Sequence, residues 1–306
     1  VPELPDVTVY CERLAAKTVG SKLTGVRLRS TFLLRTAVPP LSGAFGREVV
    51  AVRRLGKRIV IELSEQWFLV VHLMIAGRLR WGAVGAAVPA RDGLAAFDFE
   101  GGTVLFTEAS PKKRASLHVV QGEQGLEAFD RGGLPPIGAG FDQVKAALHG
   151  ENHTLKRSLT DPRLFDGIGG AYGDEILFRA RLSPVQWSKN LGDDEIERLR
   201  VAMHSVLSEW TERFREQVGQ GFPDKVTAFQ PEMAVHGKFG QPCPVCASPV
   251  QRIVYVGRET NYCATCQTEG KVLRDRALSQ LLRGDWPSTL EELEALRRSE
   301  SGDRSG

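Results

Sequence analysis

The sequence predicts an α+β chain: a leading helix, a β-sandwich or barrel, a helical region and a β-hairpin between two pairs of cysteines. Three observations carry this expectation. Residues 23 to 106 read as short β-rich runs separated by Gly, Pro and polar clusters. The hydrophobic period turns helical beyond a Gly/Pro-rich stretch at 132 to 140. Four of the five cysteines fall as Cys243-x2-Cys246 and Cys263-x2-Cys266.

Pro5-Asp6 is followed by Val7, Tyr10, Cys11 and Leu14 at helical spacing, so a helix is expected almost at the N-terminus, with Pro in its first turn. Cys11 lies among its apolar residues and reads as a core thiol. Strands are expected at Leu23 to Leu28, Arg47 to Arg53, Arg58 to Leu63, Trp67 to Leu73 and Thr103 to Phe106. Helices are expected near Asp142 to Leu148, Thr154 to Phe165 and Ala171 to Arg181. Between the last two, Gly167, Gly169 and Gly170 offer positive-φ geometry and bare N–H groups where a phosphate can bind. A long amphipathic helix should open on Asp193-Asp194 as cap residues and run through Ile196, Leu199, Met203, Leu207, Trp210 and Phe214. A short helical pattern at Thr289 to Leu296 precedes an end expected to fray. These elements divide the chain into 1–131, a linker at 132–140, a helical segment at 141–230, a zinc finger at 235–270 and an extension at 271–306.

A chain of 306 residues with 42% hydrophobic and 25% charged residues has the composition of a soluble globular protein of about two domains, which excludes disordered and fibrous classes. The most apolar stretch, Ile59 to Ile75, is interrupted by Glu62, Glu65, Gln66 and His72, so no membrane span is expected. The N-terminus has neither a basic nor an apolar leader region, which favours a cytoplasmic protein. Net charge is only +3, but residues 1 to 82 hold 13 Lys/Arg against 6 Asp/Glu. Arg53, Arg54, Lys57 and Arg58 form one basic run and Lys112-Lys113-Arg114 another. Such runs could converge on a phosphate-binding face, or could simply be solvated surface.

Each Cys-x2-Cys knuckle lets two thiolates chelate one ion, and the sixteen residues between the knuckles are enough for a hairpin. With all four ligands supplied by thiolates, Cys243, Cys246, Cys263 and Cys266 would hold one structural Zn2+ and leave no position open for water. Two disulfides are the alternative, which a cytoplasmic setting disfavours. Gln251 to Val256 and Glu259 to Tyr262 are the expected hairpin strands, with Arg258 at the turn beside Gly257. A basic residue there suits phosphate contact, and a solvated turn arginine is the plainer reading.

In order and spacing, several stretches together resemble the formamidopyrimidine-DNA glycosylase and endonuclease VIII family of base-excision-repair enzymes. They are Pro2-Glu3-Leu4-Pro5-Asp6, the Gly56-Lys57 step, His72-Leu73-Met74-Ile75-Ala76-Gly77, Asp166 to Glu175, and Val235-His236-Gly237-Lys238 before the zinc motif. The likeness spans most of the chain and is closer to the formamidopyrimidine-DNA glycosylase branch. It implies an N-terminal β-sandwich, a helix-two-turn-helix domain and a zinc finger. It also implies a bifunctional glycosylase and abasic-site lyase, monomeric, acting on duplex DNA with a damaged base or an abasic site in the bacterial nucleoid.

The resemblance makes Pro2 the nucleophile, Glu3 the general acid/base at the sugar, Lys57 the proton donor for β-elimination and Arg258 the corresponding group for δ-elimination. A secondary amine with a pKa of about 7.7–8.0 is partly neutral near pH 7. Attack at C1' of the nucleotide gives an iminium ion that drives both eliminations. Val1 would acylate Pro2, so it is expected to be a GTG start codon written as Val, with the initiator residue removed. Met74 and Ile75 match the wedge that fills the gap left by an extruded base, and could equally be strand-end core. Lys156, Gly169, Gly170 and Glu175 match the helix-two-turn-helix, and Lys113 and Arg114 the loop that reads the opposite base; Asn261, a polar residue of the zinc hairpin after Arg258, is a further candidate for phosphate contact.

The chain departs from the family at the base-reading parts. Ile75 stands where the oxidised-purine branch has Met, Lys112-Lys113-Arg114-Ala115 replaces an Arg-Phe pair, and Gly170 replaces Asn. A DNA-contacting His has no counterpart near Arg91 to Leu94, and the lesion-capping loop is not recognisable between Phe214 and Val226. Pro2-Glu3-Leu4-Pro5 nevertheless resembles the oxidised-purine branch, so 8-oxoguanine and formamidopyrimidines are the first expectation. Oxidised pyrimidines and a catalytically silent damage-binding protein are the alternatives, while a zinc ribbon for RNA lacks any stacked-aromatic sheet motif.

Overall fold

The computed structural model describes residues 1–223, 230–255, 258–274, 287–293 and 295. They form two compact units, Val1–Gly133 with Leu207–Ala228, and Leu134–Val206 with Phe229–Gly306.

The first unit opens with α1 (Leu4–Thr18), which buries Val7, Tyr10, Cys11 and Leu14, the positions its spacing predicts. Eight strands follow: β1 (Leu23–Leu28), β2 (Val49–Leu55), β3 (Arg58–Leu63), β4 (Trp67–His72), β5 (Gly77–Gly82), β6 (Gly93–Phe99), β7 (Gly102–Glu108) and β8 (Ser116–Gln121). They make two four-stranded antiparallel sheets, ordered β1-β6-β7-β5 and β2-β3-β4-β8. Ile59, Ile61, Leu69 and Val71 join Phe97, Phe99, Val104, Phe106 and the α1 residues in one core. The alternate residues Val60, Phe68 and Val70 pack on Val120 and Leu126, the latter in the short helix α2 (Glu123–Glu127). Burial on both faces is why β3 and β4 read as continuous apolar runs.

Three strands, β5, β6 and β8, are not among those expected. Ala95-Ala96 weakens the β signal of β6, while β5 alternates Arg with Leu and Trp between glycines, and β8 holds Ser, His and Gln among its apolar residues. β2 starts two residues late because the backbone before it pairs elsewhere: the Arg47 carbonyl accepts the Leu23 N–H (2.9 Å) and Glu48 bridges to Lys22. β4 stops at His72 because the Leu73 carbonyl closes a turn with the Gly77 N–H (2.8 Å).

The second unit contains α3 (Phe141–Gly150), α4 (Leu155–Thr160), α5 (Gly170–Ala180) and the start of α6 (Asp193–Val218). α4 ends far short of Phe165 because Pro162 disfavours helical geometry at Asp161, whose carboxylate accepts the Arg163 N–H instead (2.9 Å). Leu134 exchanges backbone hydrogen bonds with the Leu164–Asp166 segment, so part of the Gly/Pro-rich stretch lies on this unit. Of Gly167, Gly169 and Gly170, only Gly167 adopts a positive φ. Asp193 and Asp194 lie inside the first turn of α6 rather than capping it. The Glu195 carboxylate reaches back to the Gly192 N–H (3.0 Å), and Asp193 pairs with Lys145.

The zinc-motif hairpin consists of β9 (Gln251–Tyr255) and β10 (Arg258–Tyr262), followed by α7 (Ala264–Thr268). Arg258 is the first residue of β10, while Val256 and Gly257 of the expected turn lie outside the described residues. Lys271 bridges to Thr289, where the expected tail helix begins, and Leu296 is likewise outside them, as are residues 224–229, which include Val226. Among the described residues no helix is long and apolar enough to cross a membrane.

Candidate catalytic and nucleic-acid-binding sites

Strand register gathers the sequence-predicted residues of the first unit at one end of the sandwich. Arg58 pairs with His72, His72 with Ser116, and Gly77 with Glu108. The Gly56-Lys57 turn, the 73–76 turn and the 109–115 loop therefore share an end, and the Ala109 N–H reaches the Ala76 carbonyl. Gly56 takes a positive φ to make its two-residue turn, which presents Lys57.

The N-terminal segment belongs to the same neighbourhood. Burial lowers the Val1 ammonium below its ordinary value; Glu3 and Asp6 act against this, and Arg78 and Lys57 add to it. Pro2 is buried and Glu3 is 3% exposed. Asp6 Oδ2 accepts the Glu3 N–H at 2.8 Å, while its Oδ1 is buried without a hydrogen-bond partner. Burial pushes the Asp6 carboxyl up to about 7 against that hydrogen bond.

The wedge candidates behave differently from one another. Met74 is half-buried with a φ of 52°, whereas Ile75 is 62% exposed at the tip of the turn. His72 Nδ1 accepts the Met74 N–H at 3.0 Å. That role needs a neutral imidazole, and burial, with Arg58 and Lys57 adding to it, pushes His72 down to about 4. The Arg78 guanidinium closes the turn on the carbonyls of Gly77 (2.6 Å) and Ile75 (3.3 Å). In the basic loop, the buried Glu108 carboxylate accepts the N–H groups of Arg114 (3.0 Å) and Ala115 (3.1 Å). The Lys113 ammonium turns back onto the Glu108 carbonyl, which leaves Lys112 and Arg114 exposed. Arg78 and Glu108 have no signal in the sequence, since lone charged residues in strands carry no spacing pattern.

In the second unit, Gly169 caps α5 in extended geometry and Gly170 is exposed, with open space where a Cβ would stand. A phosphate can approach such a helix start closely. The Lys156 ammonium bonds the Gly170 carbonyl and Asp174 Oδ1 (2.6 Å). Two residues expected at a DNA surface are instead buried. Glu175 accepts the backbone N–H groups of Ala234 (2.8 Å), Val235 (2.9 Å) and His236 (2.9 Å). Asn261, 1% exposed, donates to Asp174 Oδ2 at 3.3 Å. Arg258 is exposed.

The four cysteine sulfurs lie within 4.8 Å of one another, with Cys246 and Cys263 at 3.4 Å and Cys243 and Cys266 at 4.0 Å. Zn–S bonds of about 2.3 Å in a tetrahedron put sulfurs about 3.8 Å apart, so the donor set fits zinc and offers no fifth ligand. Val235 and Val250 pack against the cluster and exclude water from its inner side.

Comparison with known proteins gives three family matches: a formamidopyrimidine-DNA glycosylase N-terminal domain at residues 1–119, a formamidopyrimidine-DNA glycosylase H2TH domain at 137–218, and the zinc finger found in FPG and IleRS at 240–268. The four cysteines lie in the last of these, so one structural Zn2+ is the resident metal. A formamidopyrimidine-DNA glycosylase of Thermus thermophilus is 34% identical over 278 residues, 88% of this chain and 100% of that protein. Another, of Pelotomaculum thermopropionicum, is 32% identical over 87% of this chain and 99% of its own. The crystal structure of the MutM (Fpg) protein from Thermus thermophilus superposes with a TM-score of 0.74 at 33% identity, covering 87% of this chain and 98% of that one. A Lactococcus lactis Fpg in complex with DNA containing an abasic site shares the fold at 23% identity, with a TM-score of 0.76 over 87% and 99% of the two chains.

Proposed function

The chain belongs to the formamidopyrimidine-DNA glycosylase family, and from that premise we propose that it removes oxidised purines from duplex DNA and cleaves the resulting abasic site through a Schiff base on Pro2. The observation that carries the reading is the strand register that puts Lys57 and the exposed Ile75 turn at one end of the sandwich, together with the burial of Pro2 and Glu3.

Each residue has a role that its surroundings support. With Val1 removed, the Pro2 nitrogen is a secondary amine. It attacks C1', the bond to the base breaks, and opening of the sugar ring leaves an iminium ion that needs no further proton to be charged. Loss of the C2' proton then breaks the 3' C–O bond, and loss of the C4' proton breaks the 5' one. Glu3, buried beside the terminus, moves protons at the sugar. Lys57 serves the first elimination and Arg258 the second. Ile75 enters the stack vacated by the extruded base, while Met74 shapes the turn behind it. Arg114 of the basic loop faces the opposite strand, and Lys113 fixes that loop to Glu108. Lys156 and the Gly169-Gly170 turn bind phosphate, and Glu175 and Asn261 support them from within.

Borohydride trapping tests the reading, with protein whose mass shows that Pro2 is the first residue. A covalent adduct is expected on a duplex carrying 8-oxoguanine opposite cytosine and on an abasic duplex. Trapping on the abasic duplex alone would move the substrate to another oxidised base. Trapping on neither would leave a damage-binding protein. Pro2→Gly should lose most lyase turnover and keep abasic-DNA binding.

A further inference from the structure

The Asp174 side chain has no exposed surface and sits where three separate segments of the second unit meet. Its Oδ1 takes the Lys156 ammonium of α4 at 2.6 Å. Its Oδ2 takes the His236 Nδ1–H at 2.8 Å and the Asn261 amide of β10 at 3.3 Å, Asn261 standing two residues before the zinc ligand Cys263. The adjacent Glu175 fixes the 234–236 backbone that carries His236. Gly173 completes the arrangement: a Cβ there would come 3.1 Å from Lys156 Nζ.

A carboxylate in the protein interior is tolerated only while its lone pairs are matched by cations and donors. Lys156 compensates one oxygen of Asp174, and the segments leading into and out of the zinc motif compensate the other. If those donors move, the carboxylate must turn to find other partners, and the Lys156 ammonium bound to it loses its fixed position. While they hold, the long lysine side chain is confined beside Gly170, at the open start of α5.

We infer that Asp174 is a positioning residue that makes the phosphate grip of Lys156 depend on the folded zinc hairpin. It touches no DNA itself, and the inference rests on the DNA-directed function proposed above. By reciprocity, DNA bound through Lys156 tightens the binding of zinc.

The test uses the full-length, zinc-loaded protein and a duplex with a tetrahydrofuran abasic analogue, with affinity measured over a series of salt concentrations. Removing one phosphate contact lowers the slope of log K against log salt by about one. D174N and K156M are each expected to show that loss, with affinity down about tenfold at moderate salt, and the double variant no worse than K156M. G173A, which crowds the ammonium and leaves carboxylate and ligands alone, should lower the slope in the same direction with zinc fully retained; it decides the matter if D174N fails to fold. In the second readout, at equilibrium with a competing chelator, duplex should raise the zinc affinity several-fold in the wild type and not in K156M. A wild-type slope in folded D174N or in G173A, additive losses in the double variant, or an equal rise in zinc affinity in K156M would each overturn the inference while leaving the proposed function standing. A wild-type protein that does not bind the duplex would overturn both.

Discussion

His72 Nδ1 accepts the backbone N–H of Met74 at 3.0 Å, so a single imidazole holds the turn that carries Ile75. Unfolded, this histidine protonates near 6.5; folded, burial with Arg58 and Lys57 adding to it delays protonation to about 4. The unfolded chain therefore binds the extra proton between these limits, and stability contributed by the neutral ring declines as pH falls through that window. His72→Gln should lose this acid-side dependence, which melting curves from pH 4 to 7 would reveal; parallel curves for the two proteins would contradict it.

Asp6 has the opposite sign. Its carboxyl keeps a proton to about 7 when folded and loses it near 3.8 when unfolded, so stability declines as pH rises through that range. Asp6→Asn should gain in melting temperature on the wild type between pH 4 and 8. A difference that does not change with pH would count against a protonated Asp6.

Glu175 accepts three backbone N–H groups, of which that of Val235 is buried. Glu175→Ala should cost the second unit about 3 kcal/mol by leaving these donors without a partner, and Glu175→Gln about half as much. Denaturant titration followed by hydrogen exchange at residues 234–236 would locate the loss.

Zinc content should be one ion per chain, falling on Cys246→Ser. Chelation should remove DNA binding together with the fold of the hairpin, because a structural zinc site is part of the folding free energy. Normal affinity after verified metal removal would refute a structural role.

Ile75 is 62% exposed, so Ile75→Ser should leave stability within about 0.5 kcal/mol of wild type. Base removal from duplex should fall, while cleavage at a preformed abasic site is largely kept. Equal loss of both would argue that Ile75 does not act as the wedge.

Much of the scaffold is legible in the sequence because local periodicity and tertiary burial agree. The apolar positions of α1 and the ranges of β1 and β3 follow from spacing alone. β6 is not legible, since Ala95 and Ala96 become strand residues only through pairing with β1 and β7. The zinc ligands are legible because chelation demands fixed spacing. The surroundings of Asp174 are not: Lys156, His236 and Asn261 stand 18, 62 and 87 residues from it in sequence. The same limit explains Asn261 itself, a polar residue of a surface hairpin that the fold turns inward.

The two-sided burial of β3 and β4 has a mechanical consequence for chemistry at their ends. Amide hydrogens of Ile59 to Ile61 and Leu69 to Val71 lie under apolar layers on both sides, so they should exchange only when the whole unit opens. Lys57 precedes one of these strands and His72 ends the other. Both are thus carried at the ends of strands expected to open only with the whole unit, so a ligand pressed against that end meets groups whose backbone anchors have little freedom to adapt.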